Sequence, residues 1–475
     1  MTLSGRRKII SEFNSNDIRN ENNLKLALST AYRTHILNRS EINYLVDYKN
    51  GIQTILDKEK EVRPEINNQI VINHAQMVTR AITGYFLGTP IQYVDLDGSK
   101  KDEVAYLNKV VAYEDKASVD KDIAEYQSIC GTAYRIIYTD GIYGDAVPFE
   151  DKMLEPENTF VVYENNVAEK PLMGVNYLGL FNNTGEQIGY KIYCYTEFGV
   201  YTIYSKDFTF GEEDDFEFES FSPYSIGGVP IVEYPNNIWR LGDWELMIGV
   251  MDALNTLESG RMDDIEQLVQ SLVVFVNADI NAEVYDQMRA SGVISLVNKG
   301  DGRVEVQTIS NQLDQTGVAM FAEELKDYIY ALIGIPSRND SASGGGDTGQ
   351  AVELRDGWAD LEIVARNKEL TFKRSEKMAL KIMLNIMGTR SDNKLSLLDV
   401  DIKFSRNKTN NLLVKTQSYA NLIATKTLHP ADCLAIVDLV SHVNDYISRG
   451  EEFWQEQFGG KEPVVTQQTG DALTE

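Results

Sequence analysis

The sequence predicts an α+β fold that is predominantly helical and divided into several structural regions. The chain has 475 residues, which is more than a single hydrophobic core usually supports. Long segments repeat apolar residues at helical spacing, and a tyrosine-rich segment between them shows strand-like alternation. A hydrophobic content of 43% and a charged content of 25% are ordinary for a folded protein, which argues against disorder over most of the chain.

The first half of the chain divides into a helical segment and a mixed one. Residues 1–90 are predicted to be mainly helical, ending before Pro90 because proline cannot continue a helix. Residues 91–235 combine a helix with runs rich in Tyr, Val, Ile and Phe that turn residues separate, a pattern typical of antiparallel hairpins. The predicted helices are 22–37, 42–48 and 118–130, with a polar turn between the first two, and the predicted strands are 134–138, 159–163, 190–195 and 201–204.

Residues 240–272 carry the clearest helical pattern, with apolar side chains at steps of three and four. A continuous helix here would be ~50 Å long at about 1.5 Å per residue. Strand and turn signals follow, and then a second helix over 317–333. This order indicates two rods that hold a small module away from the main body. The module's predicted elements are strands 272–276, 293–297 and 304–308 and a short helix at 282–289.

The last third of the chain is predicted to be helical apart from one loop and the tail. Residues 334–349 are rich in Ser, Gly and Asp, and loops of this length usually have a function or are disordered. A long helix is predicted over 350–387, and further helices over 409–449 with a break at Pro430. The polar tail after Phe458 is expected to be disordered.

The net charge of −27, from 72 acidic and 45 basic side chains, argues against tight non-specific DNA binding, which needs a basic footprint. An acidic wall would let a duplex slide past, so a conduit is compatible with this charge. The three cysteines are far apart, which fits a reducing cytoplasm rather than a disulfide framework. We expect no signal peptide and no membrane span, because the apolar stretches are far shorter than ~20 residues.

No arrangement of residues predicts a catalytic reaction, so we expect no enzyme and no cofactor. Gly344 to Gly349 matches a dinucleotide-binding spacing but follows a loop rather than a strand, and no Walker A motif is present. The four histidines are isolated. Two acidic groups each allow two interpretations. Glu212 to Asp215 are a metal-binding cluster or, more in keeping with the pattern, a charged hairpin edge. Asp399 and Asp401 are a metal-binding pair or lie on the outer face of a strand.

Three groups of short motifs stand in a fixed order within residues 40–450. The first is Tyr48-Lys49-Asn50-Gly51, Asn67-Asn68, Val71-Ile72-Asn73 and Gly84 to Pro90; the second is Gly228 to Tyr234, Asn236, Asp252-Ala253-Leu254-Asn255 and Ser259; the third is Gly334-Ile335-Pro336 and Thr348-Gly349-Gln350-Ala351. In combination they resemble the portal proteins of long-tailed phages infecting Gram-positive bacteria, the SPP1-like portal family.

The resemblance implies a phage portal fold that assembles into a ring, with named regions. The implied boundaries are wing 1–239, stem helix 240–272, clip 273–313, second stem helix 314–333, tunnel loop 334–349, wing helix and return strand 350–407, crown 408–456 and a tail 457–475. The implied function is a channel at one capsid vertex for double-stranded DNA during packaging and ejection. The implied partners are eleven further copies in a dodecamer, the DNA, the large terminase subunit, the head-completion adaptor, and the major capsid and scaffold proteins, in the host cytoplasm during assembly and then in the virion.

The resemblance also implies three groups of site residues. The DNA-facing loop residues are Ser337, Arg338, Asn339, Asp340, Ser341, Ser343, Gly344, Gly345 and Gly346; the partner-binding clip residues are Asp279, Asn281, Lys299, Asp301 and Arg303. The subunit interface is assigned to Arg366, Lys373, Arg374 and Lys377, within a stretch 355–394 that has nine bases against six acids. A solvated helix face is the equal alternative for this basic stretch. The competing functions are a metal-dependent nuclease and a scaffold component with no DNA path.

Overall fold

The computed structural model describes residues 5–96, 98–139, 148–206, 216–269, 272–276, 305–309, 315–335, 359–390, 395–406, 412–425, 430–437 and 450. The chain divides into a large unit, residues 1–406, and a smaller one, residues 407–475. The helices among the described residues are α1 Glu21–Lys49, α2 His74–Phe86, α3 Lys101–Tyr113, α4 Lys116–Cys130, α5 Ile248–Val269, α6 Gln315–Ile333, α7 Ala359–Arg390, α8 Leu412–Ala424 and α9 Pro430–Val437.

The strands fall into four sheets, of which the largest has six strands in the order β1-β5-β6-β7-β8-β9. The described strands are β1 Ile9–Ser11, β2 Gln92–Asp95, β3 Thr132–Tyr138, β4 Glu150–Leu154, β5 Thr159–Glu164, β6 Pro171–Phe181, β7 Gln187–Tyr195, β8 Gly199–Ser205, β9 Glu217–Pro223, β10 Ile231–Pro235, β11 Leu272–Val276, β12 Glu305–Ile309 and β13 Val400–Lys403. A mixture of helices and antiparallel sheets agrees with the α+β class predicted from the sequence.

In the six-stranded sheet, the first pair, β1 with β5, is parallel, and the other neighbours are antiparallel. β9 lies at the edge of this sheet and most of its side chains are exposed. This position agrees with the charged hairpin edge predicted from the alternation around Phe216 and Phe218. The acidic residues 212–215 themselves lie outside the described residues.

Two helical segments differ from their predicted bounds, and the first difference comes from contacts distant in sequence. The predicted break between 37 and 42 is wrong, because α1 continues through it: Asn38 and Glu41 are buried and bonded to Arg7. The predicted helix start at 240 is also wrong. Arg240 has a positive φ of 55°, and a 3-10 turn at Glu245–Met247 precedes α5.

One hydrophobic core joins the helices that are central to the rest of the fold. Buried side chains of α1, α2, α5, α6 and α7 meet in it. Trp244, immediately before α5, is fully buried and stacks on Tyr48 of α1 with ring centroids 5.6 Å apart. Its indole N–H donates to the Thr79 hydroxyl of α2 at 2.9 Å, so a single side chain connects three helices.

A buried ionic cluster connects α4, β3 and α7. Glu376 of α7 accepts from Arg135 at 2.8 Å and from the hydroxyls of Tyr93 at 2.5 Å and Tyr234 at 2.8 Å, and Lys116 lies 3.0 Å from it. Burial alone would raise the pKa of Glu376, but the charges of Lys116 and Arg135 outweigh burial and lower it to about 2. The carboxylate is therefore ionised whenever the protein is folded near neutral pH.

Removing this carboxylate should strongly destabilise the fold. Glu376→Ala leaves Arg135 and Lys116 buried without one of their acids, and breaking a buried ion pair on one side costs about 3–5 kcal/mol. The control is Glu219→Ala on β9, which removes an exposed carboxylate paired with the partly exposed Lys191 and should cost about 0–1 kcal/mol. Denaturant unfolding measures both, and equal losses in the two variants would contradict a structural role for the cluster.

Candidate functional site

Helices α5 and α6 form a pair that brackets a two-stranded sheet. Their facing side chains, including Leu254 of α5 and Leu325 of α6, belong to one buried cluster. β11 follows α5 and pairs antiparallel with β12, which precedes α6, so that Val276 lies opposite Glu305. Residues 277–304 therefore leave and rejoin the described structure at neighbouring positions. This is the order of two rods and an intervening module that the sequence predicts.

One side of α5 carries a ladder of polar side chains that holds an extended segment, residues 66–73. The Asn255 carboxamide oxygen accepts from the Ile72 amide at 2.9 Å, and the Ser259 hydroxyl accepts from the Ile70 amide at 2.9 Å. One turn further on, the Asp263 carboxylate accepts from the Asn68 amide at 2.7 Å. Steps of four residues place these side chains above one another on the helix, and alternate amides of an extended chain point the same way.

The ladder solves a specific physical problem. Residues 66–73 form no strand in the described structure, so their amide groups need other acceptors, because an unpaired backbone donor away from water costs about 1–3 kcal/mol. The polar ladder supplies acceptors for the amides of Asn68, Ile70 and Ile72. Asn255 and Ser259 are fully buried, and Asn255 also donates to the Gln53 side chain at 2.6 Å, so the ladder continues toward α1.

Asp263 is the most strongly charged step of this ladder. Lys58 and Lys60 each place an ammonium 2.7 Å from its carboxylate, and the Asn68 side chain also donates to it at 2.9 Å. Burial raises the pKa of Asp263, but these hydrogen bonds outweigh burial and hold the pKa well below its usual range. The negative charge is thereby kept at neutral pH, where it can hold both lysines.

The four predicted interface residues lie on α7, but their surroundings differ. Arg366 is largely exposed and bonds to Glu362 one turn earlier at 2.8 Å, and Lys373 pairs with Asp401 of β13 at 3.1 Å. Arg374 and Lys377 are exposed and have no ion pair among the described residues. These side chains lie on one sector of the helix, so the structure brings the predicted residues together without testing what they bind.

One member of the basic stretch does not belong to that surface. Lys368 is buried and its ammonium lies 2.7 Å from Asp243, just before α5. It therefore fastens α7 to the start of α5 and is unavailable to another molecule. Asp401, which the sequence left open as a metal ligand, is half-exposed on β13 and occupied by Lys373, in agreement with the outer face of a strand.

The other predicted site residues lie outside the described residues. These are the loop residues Ser337, Arg338, Asn339, Asp340, Ser341, Ser343, Gly344, Gly345 and Gly346, and the clip residues Asp279, Asn281, Lys299, Asp301 and Arg303.

Within the described ranges, no three His, Cys, Asp or Glu side chains are grouped as metal ligands. His74 is buried, with its ring centroid 6.1 Å from that of Tyr330. No helix in the described part of the chain is both long and apolar enough to cross a membrane.

Comparison with known proteins gives a family match over most of the chain. Residues 30–431 match the family model described as phage portal protein, SPP1 Gp6-like. The portal protein of Bacillus phage SPP1 is 24% identical over 281 residues, which cover 57% of this chain and 53% of that protein. The alignment thus spans about half the length of that relative. The portal protein of Clostridium phage phiCD119 is 22% identical over 362 residues, covering 73% of this chain and 77% of that protein.

Solved structures with a similar chain come from gene transfer agent particles. A chain from the virion of the native particle has a TM-score of 0.43 and 12% identity, covering 77% of this chain and 89% of its own length. A chain from the neck of the native particle, computed with C12 symmetry, has a TM-score of 0.43 and 12% identity, covering 78% of this chain and 91% of its own length.

The ladder predicts which amides of residues 66–73 depend on α5. Asn255→Ala should speed hydrogen exchange at Ile72, and Ser259→Ala at Ile70, by about two- to tenfold, since a hydrogen bond contributes about 0.5–1.5 kcal/mol net. Thr256→Ala is the matched control, because the exposed Thr256 hydroxyl bonds only to Asp252 O of its own helix among the described residues, at 2.8 Å. Hydrogen exchange is measured by mass spectrometry on overlapping peptides. The ladder is contradicted if the amides of all three variants exchange as fast as those of the parent protein.

The charged step of the ladder predicts a pH dependence. The folded-state pKa of Asp263 lies well below its ordinary value of 3.8, so its stabilisation is complete above about pH 4, declines as the pH falls below that value, and is lost only as the pH falls through the depressed folded-state pKa. Asp263→Asn should therefore lower the free energy of unfolding at pH 7 by about 1.5–3 kcal/mol and by a smaller amount at pH 3. Asp264→Asn, the neighbouring half-exposed carboxylate, should change little at either pH. Urea unfolding at both pH values gives the comparison, and a loss that is the same at pH 3 and pH 7 would refute it.

Proposed function

Because the chain belongs to the SPP1-like family of phage portal proteins, we propose that it is one subunit of a ring at a single capsid vertex. The ring forms the channel through which double-stranded DNA enters during packaging and leaves during ejection. It has twelve subunits, assembles in the host cytoplasm on scaffold and major capsid proteins, and remains in the virion. The large terminase subunit docks on it during packaging, and the head-completion adaptor binds afterwards.

The observation that carries this proposal is the α5–α6 pair with the antiparallel β11–β12 sheet at its end. Two packed helices that run out to a sheet and return are suited to a stem, and the residues enclosed by that sheet, 277–304, are suited to a clip that meets other proteins. The stem then comprises 240–272 and 314–333, and the clip comprises 273–313. The clip residues that contact terminase and the adaptor are then Asp279, Asn281, Lys299, Asp301 and Arg303.

The ladder on α5 supports the stem role mechanically. A rod that transmits force from docked partners must be fixed to the body, and the ladder fixes α5 to residues 66–73 from Asn255 to Asp263. Two further contacts fix the residues just before α5. The ion pair of Asp243 with Lys368 joins them to α7, and the hydrogen bond of Trp244 with Thr79 joins them to α2. The wing, residues 1–239 with the helix and return strand of 350–407, is then the body that carries the stem.

The charge of the chain supports a channel rather than a clamp. With a net charge of −27, the subunit offers few bases to hold phosphates, and phosphate contacts dominate the affinity of proteins that grip DNA. The loop 334–349 has Arg338 as its only base, so its Ser and Asn side chains and backbone amides make transient contacts with the DNA backbone. DNA then moves past the loop from Ser337 to Gly346, and residues 408–456 form the crown on the capsid side.

Electron microscopy of the purified full-length protein, viewed end-on, tests this function. We expect turbine-shaped rings with a central channel wide enough for duplex DNA. Rings with a closed centre would instead indicate a scaffold component with no DNA path. Monomers, dimers or filaments that persist across salt and protein concentration would contradict the proposal. Cleavage of duplex DNA with magnesium, abolished by a chelator, would identify the nuclease alternative, and we expect none.

A further inference from the structure

A cleft of about 460 Å³ opens between the turn that joins β5 to β6, the turn that follows β10, and α7. Ala168 and Pro171 line it from the first turn, Ile238 from the second, and Arg374 and Met378 from the helix. It is separate from the stem pair and from the polar ladder. Its α7 wall includes Arg374, one of the residues assigned to the subunit interface from the sequence.

The cleft is locally basic on a strongly acidic protein. Its lining contains four bases, Lys8, Lys170, Arg240 and Arg374, against the two acids Glu169 and Glu233. Arg240 is held by Glu233, with nitrogen–oxygen distances of 2.6 and 3.0 Å, and Lys8 pairs with Glu169. These two pairs use both acids. Lys170 and Arg374 are exposed and form no close ion pair in the described part of the chain, although the charge of Arg374 helps to lower the pKa of Glu169.

Large apolar side chains are exposed at the cleft or at positions close in sequence to residues that line it. Ile238 lines the cleft with 79% of its surface exposed, and the adjacent Trp239 is 65% exposed. Val167, next to the lining residue Ala168, is fully exposed, and Leu370, one turn before Arg374 on α7, is 71% exposed. Single exposed apolar residues are ordinary, but several around one basic cleft mark an interaction surface.

The two turns that shape the cleft also contain strained backbone. Glu169 and Arg240 have positive φ values of 44° and 55°, and only two other non-glycine residues among those described share this conformation. Such conformations cost about 1–3 kcal/mol each and persist where surrounding contacts hold them. Here the ion pairs with Lys8 and Glu233 hold them, so the fold maintains the shape of the opening at an energetic cost.

We propose that this cleft receives an acidic face of a second copy of this chain, with an apolar side chain entering between Ile238 and Arg374. The inference rests on the proposed ring, in which each subunit must present two different surfaces that fit one another head to tail. Charge complementarity selects the occupant. A copy with 72 acidic and 45 basic side chains repels most of its neighbour's surface, whereas the two exposed bases of the cleft attract it.

DNA is a poorer occupant for the same cleft. Phosphate-binding surfaces extend along the duplex and consist mainly of bases, whereas this cleft is lined by two carboxylates and by apolar Ile238 and Met378 as well as by its bases, and exposed Trp239 is adjacent in sequence to Ile238. Protein interfaces favour Trp and Arg near the centre of the contact, surrounded by contacts that exclude water. The composition of the cleft therefore matches a protein surface.

Site-specific photo-crosslinking in the assembled full-length protein tests the cleft directly. A benzoylphenylalanine replaces Ile238 in one variant and Val62, exposed on a different loop, in the control. Irradiation of assembled protein should join copies of the chain at 238 at least tenfold more efficiently than at 62. Mass spectrometry of the product should place the second end in an acid-rich segment of another copy.

Each alternative result has a defined meaning. Channel-bearing rings without a crosslink between copies at 238 overturn the cleft and leave the proposed function standing. Crosslinks only to duplex DNA, or only to residues within the same copy such as 407–475, also overturn it. Crosslinks between copies in an assembly that has no channel would support the cleft as a self-association surface but contradict the portal function. Protein that stays monomeric in every condition would contradict both the cleft proposal and the portal function.

Charge reversal gives an independent measure. Lys170→Glu with Arg374→Glu should raise the protein concentration needed for assembly at least tenfold, measured by sedimentation velocity. Lys109→Glu with Lys121→Glu, two exposed lysines on α3 and α4, changes the net charge equally and is the matched control. Equal effects of the two double variants would refute a local role for the cleft. Should the first variant fail to fold, the crosslink at 238 decides alone.

Discussion

The need to satisfy the backbone of residues 66–73 is the constraint on which the centre of this fold depends. This segment lies extended with no strand beside it, so its amides take their acceptors from α5. Asn255 and Ser259 are fully buried, so the segment covers this side of α5 where they stand. One turn before Asn255, Met251 is buried in the apolar cluster in which α5 meets α6 and Trp244. The polar residues of α5 thus hold residues 66–73, while Met251 and Leu254 pack against the apolar neighbours of the helix.

The buried ionic cluster around Glu376 plays the corresponding role for α7. An isolated buried carboxylate would be costly, and Arg135 and Lys116 offset that cost only in one arrangement of α4, β3 and α7. Burial raises the pKa of Asp151 in the same cluster to about 6, although the charge of Arg135 opposes burial. Apolar packing would tolerate small shifts of these elements, whereas bonded charges do not. The cluster therefore fixes α7, and with it the exposed sector that carries Arg374 and Lys377.

Local sequence patterns predicted helices and strands well where the apolar residues recur periodically. They failed where a contact with a residue distant in sequence determines the conformation. Strands β3, β5, β7 and β8, the α5–α6 order and the break at Pro430 follow from alternation, spacing and proline, whereas β4 and β6 were not predicted. The continuity of α1 does not, because the buried Asn38 resembles a turn residue until Arg7 is placed beside it. The motif resemblance pointed to Asn255 and Ser259, but their partners are backbone amides, which no side-chain pattern records. The subunit, DNA and clip contacts stay predictions.

The internal ion pairs also affect the electrostatic repulsion between copies of the chain during assembly. Arg135, Lys116, Lys368 and Arg6 are consumed by buried acids, so these bases do nothing to offset the repulsion between the surfaces of two copies. The net charge of −27 is therefore carried by the surface. Like-charged subunits can associate only if exposed bases meet the neighbour's acids at short range, where the attraction outweighs the screened repulsion of the rest. Exposed bases such as Lys170 and Arg374 are available for such contacts, whereas the buried ones are not.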